Sequence, residues 1–381
     1  MSRIFVVVAA LLITVGCVQI TSAQLPVKIP KIPKPVQPKP DPSPATATPG
    51  STEPAQPTTP KTNESDGQPR IAKDSILITT QRGRDVAGYE KRGWVPAIQY
   101  RGTGSIASGS RLSVDFTLAG KPWVSFDCNP ERETETAHTW STMCGGDSIP
   151  GGKQTTYAGP VAFTIHLRNE LEGTNVTLFN GTAKVVMVPA YKGATKMDDM
   201  EWYVDEDWRI PFGYVFWEKD PGHGGDAFLH VAFWVRGNSP DVEAHLFYQG
   251  KDIAKFSSPG NGAADWNPNL YRWGLIDGEF LGVYPTAPGG DEGYEPRFGV
   301  RNNPGNYEVK VLILGHLARS IKFKVSPNGS LEGGIDSANS LGTDRVVVPV
   351  QVVGDSGGTW DRNAWKTDAF YGNPLPGFVA P

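Results

Sequence analysis

The chain has 381 residues, 39% apolar and 20% charged, with a net charge of −4; that is a globular composition without the basic excess that nucleic-acid binding needs. Its 44 Gly, 33 Pro and 11 Trp favour short strands and many turns. No apolar run reaches the about 20 residues of a transmembrane span.

Residues 1–23 read as a signal peptide. Arg3 supplies the early charge, Ile4 to Val15 form a short apolar run, and Thr21-Ser22-Ala23 offer the small residues that precede cleavage before Gln24. A second reading stays open. Thr14-Val15-Gly16-Cys17 resembles the lipobox of bacterial lipoproteins, which implies lipidation of Cys17 and a cell-envelope tether through the N-terminus. Either way the chain is expected to be exported, to the cell surface, the periplasm or the medium.

Residues 24–69 are expected to be a disordered linker. Pro recurs at short spacing from Pro30 to Pro35, and Pro, Thr, Ser and Ala dominate up to Pro60. Such chain buries nothing and favours polyproline II, giving a reach on the order of 100 Å.

The pattern then turns to period two, the signature of half-buried strands. Leu112, Val114, Phe116 and Leu118 alternate with polar residues, as do Val161, Phe163, Ile165 and Leu167. Asn180-Gly181, between Val176 and the run Lys184 to Val188, reads as a hairpin turn. Cys128 and Cys144 make an even pair in an exported chain and predict a disulfide. A zinc site with His138 is the weaker alternative, because it lacks a fourth ligand.

Farther along, Phe212, Tyr214 and Phe216 alternate, as do Leu229 to Val235, Val309 to Ile313, and Ile321 to Val325. Ser113 to Leu118 lines up with His230 to Val235, and Phe163 to Leu167 with Val309 to Ile313. This suggests an all-β fold of two tandem immunoglobulin-like β-sandwich domains, 70–192 and 193–330. A single larger sandwich is the alternative. Residues 331–381 predict one more strand, Val346 to Val353, with Pro349 placing it at an edge. Trp360, Trp365, Phe370 and Tyr371 are expected to pack the tail onto the second sandwich.

Several segments suggest chemistry. Gly354-Asp355-Ser356-Gly357-Gly358 resembles the nucleophile segment of trypsin-like serine proteases, with Thr136-Ala137-His138 and Asp252-Ile253-Ala254 in the order of that family's base and carboxylate. The strand-rich stretch that the family carries beyond its serine is not matched by the polar residues after Gly358, and no catalytic residue is assigned. The acidic run Asp198, Asp199, Glu201, Asp205, Glu206 and Asp207 offers carboxylates for a cation or a glycosidase pair, but reads first as a solvated interdomain linker. Trp202, Trp208, Trp217, Trp266 and Trp273 are candidates for stacking sugars, against a core role for each. No cofactor or metal is called for. The reading is an exported, non-enzymatic surface or secreted module that binds a protein or carbohydrate ligand. The alternatives are a secreted hydrolase acting on polysaccharide or peptide, and a structural envelope component.

Overall fold

The computed structural model describes residues 69–84, 90–132, 139–146, 149, 152–191, 193–219, 227–236, 241–258, 273–286, 297–332, 345–354 and 359–381. The predicted signal peptide, the predicted linker up to residue 68, Cys17, His138, Trp266 and Ser356 lie outside these residues. The fold is all-β, and among the described residues the only helical segments are short 3-10 turns.

The first half contains β1 (Arg70–Ile71), β2 (Leu77–Arg84), β3 (Glu90–Thr103), β4 (Ser110–Leu118), β5 (Lys121–Cys128), β6 (Glu131–Arg132), β7 (Thr139–Gly145), β8 (Gly159–Asn169), β9 (Thr174–Pro189) and β10 (Met200–Asp205). One sheet runs β1-β3-β7-β6 with β2 on β3, and the other runs β10-β9-β8-β4-β5. Ile78, Trp94, Ile98, Tyr100 and Trp140 from the first sheet share a core with Leu112, Val114, Phe116, Phe163 and Ile165 from the second. The Cys128–Cys144 disulfide joins β5 to β7, and so one sheet to the other, with Cα atoms 5.3 Å apart.

Asn180-Gly181 is not a turn. It lies inside β9, opposite Thr164 and Phe163 of β8. A Cβ at Gly181 would sit 2.6 Å from the Phe163 ring and 2.8 Å from that of Phe179. The glycine makes room for a ladder in which Phe163 stacks between Phe116 and Phe179, at 5.7 Å on each side. The tight turns fall at Ala119-Gly120 and Gln249-Gly250, and at Leu314-Gly315. Each pair has both φ values positive, between 48° and 79°. They match the two-residue turns that follow the right-handed strand twist.

The second half adds β11 (Phe212–Lys219), β12 (Ala227–Arg236), β13 (Val242–Tyr248), β14 (Lys251–Ser258), β15 (Trp273–Phe280), β16 (Val283–Tyr284), β17 (Phe298–Gly299), β18 (Gly305–Ile313), β19 (His316–Val325), β20 (Leu331–Glu332) and β21 (Arg345–Val352). They form a nine-stranded sheet, β14-β13-β18-β19-β21-β11-β12-β15 with β20 on β19, and a parallel pair, β16-β17. The long sheet curls around its own core, and its end strands meet where Phe256 packs on Phe280 at 5.1 Å.

β11, β12 and β21 are covered on both faces. Val215, Leu229, Val231, Phe233, Val346, Val348 and Val350 point into the second core. Phe212, Tyr214, Ala232, Trp234 and Val347 point into the first. Consecutive rather than alternating burial is expected of a sheet with two covered faces. The residues from 359 on do not rest on the second half alone. Phe370, Tyr371, Leu375 and Phe378 join the first core cluster, where Phe378 stacks on Phe212 at 3.9 Å and Tyr371 meets Phe163 edge-on at 5.5 Å.

β21 is not at an edge, because β19 and β11 flank it. Val350 pairs with Ile321 and Pro349 with Phe212. The Val350 N–H donates to the Pro211 carbonyl at 2.8 Å. Strand alternation then turns the Pro349 nitrogen the other way, one residue beyond the last pair with β19. The missing N–H falls where no ladder needs it.

The suggested correspondence between the halves does not extend to topology. β4 and β8 are neighbours, with Phe116 opposite Phe163, whereas β12 and β18 are separated by three strands. The first half's sheet also continues through β10, paired from Met200↔Pro189 to Asp205↔Lys184.

Candidate functional site

The acidic run is not a solvated linker. Glu201 and Asp205 lie in β10, and Glu206 and Asp207 are buried at the passage into β11. Each acid whose contacts are resolved meets a donor: Asp199 takes the Tyr191 hydroxyl, Asp205 takes Lys184 at 2.8 Å, and Asp207 takes Arg236 at 3.3 Å. Burial raises the Asp207 carboxyl above its ordinary range, although the Asp361 N–H and Arg236 oppose this.

Arg209 is the centre of the passage. It is 1% exposed, and its guanidinium lies between the indoles of Trp208 and Trp234, 4.3 and 4.5 Å from their centroids. Its Nε donates to Glu206 at 2.7 Å, and its Nη2 donates to the Ile76 carbonyl at 2.5 Å and to Tyr371 Oη at 3.2 Å. The Tyr371 hydroxyl donates to Glu206 and accepts from the Ile78 N–H at 3.0 Å. Burial works against the arginine's charge, but Glu206 more than restores it. Burial and then the Glu206 charge keep the Tyr371 phenol protonated. Every charge has a partner, so the network is a structural joint between β2, the passage and the tail.

The other polar clusters lie on sheet faces. Ser125 Oγ donates to Asp115, which also takes Arg168 at 2.5 Å and faces His166 Nε2 at 3.3 Å. Serine and histidine thus both address the carboxylate, which is not the serine-to-base order of a nucleophile. Asp252, one member of the protease-like set, faces His245 Nδ1 at 2.7 Å, and Glu243 faces the other nitrogen at 3.3 Å. On β11, β12 and β15, His230 is surrounded by Asp277, Glu218 and Glu279. Partial burial opposes the charge of His230, but the Asp277 hydrogen bond and the three carboxylates outweigh it and raise its pKa.

The described tryptophan candidates do not form one exposed row. Trp202 and Trp208 are buried in the first core cluster, where the two halves and the tail converge. Trp217 is half-buried against the second core, and Trp273 is half-buried beside Tyr203 and Arg236. Two more half-buried indoles are in the tail, where the sequence suggested only packing, and Trp365 does pack, edge-on to Phe378 at 5.5 Å. Trp360 and Trp365 line a cleft of about 210 Å³ with Arg362, Asn363, Lys366, Pro211, Val350 and Val352. The Arg362 guanidinium lies 5.3 Å from the Trp360 centroid, and Lys366 Nζ lies 5.6 Å from that of Trp365. The sequence signal was there, since each of these tryptophans has a cation one or two residues on.

A second cleft, of about 750 Å³, opens between β8, β9 and the tail. Val185, Met187, Trp208 and Tyr371 give it apolar walls, and Lys184, Asp205 and Asp368 are its charged groups. Its size suits a ligand pocket. The hydrogen bond to Asp205 is the main cause that raises the Lys184 pKa.

No family model and no curated protein matches the chain. A solved structure described as "Biofilm associated protein - BSP domain" aligns with 68% of this chain at 10% identity and a TM-score of 0.16, and the chain spans 60% of that structure's length. At that TM-score the likeness establishes neither fold nor function.

Proposed function

We propose that this is an exported, non-enzymatic β-sandwich protein that binds a glycan, held at the cell surface or released according to the fate of Cys17. The observation that carries the reading is the Trp360–Trp365 cleft. Two half-buried indoles give the cleft an apolar wall, and Arg362, Asn363 and Lys366 offer donors beside them. The two cations favour saccharides bearing carboxylate or sulfate groups. The disulfide and the N-terminal sequence support an extracellular setting.

The test is a glycan array with the full chain, followed by titration of retained sugars. Acidic saccharides should bind, and Trp360→Ala and Trp365→Ala should each weaken them at least tenfold. Failure to retain any saccharide would overturn the glycan reading and leave the protein-partner reading to a pull-down. One observation favours a hydrolase instead: Asp205 and Asp368 share the larger cleft. Polysaccharide cleavage lost in Asp205→Asn and Asp368→Asn would establish that alternative.

A further inference from the structure

We propose that His230, Asp277 and Glu218, on the face of β11, β12 and β15 that carries Tyr214 and Ala232 into the first core, form a divalent transition-metal site where that face runs beyond the core. The three come from three hydrogen-bonded strands. His230 stands in the middle strand, directly between Phe216 and Glu279. Asp277 and Glu218 lie two residues from those cross-strand partners, and strand alternation puts them on the same face.

The geometry fits one shared cation. His230 Nδ1 lies 3.2 Å from Asp277 Oδ1 and 4.0 Å from Glu218 Oε2, and one ligand atom from each residue falls within 4.8 Å of the others. Two atoms bound to one ion at about 2.1 Å each stand roughly 3 Å apart, so the Nδ1 and Oδ1 pair is already near its bonded spacing. Glu218 is more exposed than the other two, and a small side-chain rotation brings it in. The imidazole is held for this work, since its ring stacks on Phe216 at 5.2 Å and its side chain is 13% exposed. Glu279 faces Nε2, the nitrogen away from the proposed ion, at 3.8 Å. That is beyond hydrogen-bond reach, so Glu279 adds negative charge beside the imidazole rather than a bond that orients it.

Three carboxylates repel one another around a single imidazole, and a dication relieves more of that repulsion than one proton does. One nitrogen and two carboxylate donors suit Zn²⁺ or Mn²⁺, with Zn²⁺ the tighter of the two. Ca²⁺, which takes six to eight oxygen ligands, is a poor match.

Isothermal titration of the full chain with Zn²⁺, Mn²⁺ and Ca²⁺ tests the site, together with visible absorption after Co²⁺ loading. One equivalent of Zn²⁺ should bind, Mn²⁺ more weakly, and Ca²⁺ not measurably. His230→Gln and Asp277→Asn should each weaken Zn²⁺ at least tenfold and abolish the Co²⁺ d–d bands of the site. Near-UV circular dichroism of the metal-free variants confirms that they fold. Absence of stoichiometric Zn²⁺ binding would overturn the proposal, as would Zn²⁺ binding unchanged in both folded variants.

Discussion

Replacing Tyr371 by Phe isolates what one hydroxyl does at the joint between the halves. The ring stays, so its packing on Phe163 and Trp208 is kept. The left-handed backbone of Phe370 and Tyr371, at φ 46° and 58°, is also unchanged, so its strain cancels between the two proteins. What is lost is the acceptor for the buried Ile78 N–H and for Arg209 Nη2, and a donor to the buried Glu206 carboxylate. Orphaning a buried donor costs about 1–3 kcal/mol, and a hydrogen bond to a charge contributes about 1.5–3 kcal/mol. These effects share one hydroxyl and are not additive, so a loss of about 3 kcal/mol is expected, roughly a 150-fold shift toward the unfolded state. Urea unfolding followed by tryptophan fluorescence reads this as a lower midpoint at unchanged slope. A loss below about 0.5 kcal/mol would refute the reasoning, because it would mean that water reaches the partners.

Three further outcomes can be measured. Replacing both Cys128 and Cys144 by Ser opens a loop of 16 residues' separation and should lower stability by about 3 kcal/mol in the same assay. Leu314 sits exposed at φ 50° before Gly315, so Leu314→Asn, which tolerates that conformation better, should raise stability by about 1 kcal/mol. The Glu243 carboxyl is held below its ordinary range, chiefly by the Lys255 hydrogen bond. In an NMR titration it should move up in Lys255→Met, and any stability it lends is present above the ordinary carboxylate range and lost as the pH falls through the lowered value.

Strands were legible where one face is apolar. Leu112 to Leu118 and Ile321 to Val325 lie in β4 and β19, and the disulfide followed from two cysteines in a chain expected to be exported. Turn chemistry was less legible. Asn180-Gly181 has a strong local turn preference, yet tertiary packing uses its glycine as space for Phe163. Tight hairpins instead use Ala119, Gln249 and Leu314, residues of no particular turn propensity. Pro349 marked an edge correctly in its chemistry but not in its scale, since one unpaired nitrogen was accommodated inside the sheet where β21 exchanges one neighbour for another.

The candidate sites were hidden for a related reason. The acidic run from Asp198 to Asp207 looks hydrophilic in one dimension; Arg209 is its near neighbour in sequence, but only the fold brings Arg236, Lys184 and Tyr371 to it. Histidine 230 carried no sequence spacing because its carboxylates lie 12 residues before it, in Glu218, and 47 and 49 after it, in Asp277 and Glu279. Cross-strand register is what makes them neighbours. A β-sheet assembles sites from residues distant in the chain, whereas sequence motifs report loops and helices, whose ligands are close together. The same logic separates the two uses of tryptophan. Trp202 and Trp208 stand where the two halves and the tail converge, and are consumed by that joint. Trp360 and Trp365 lie beyond the last strand, on chain anchored by Phe370, Tyr371 and Phe378. The tail is therefore both the wedge that fixes the halves and the wall of a small cleft lined by two half-buried indoles.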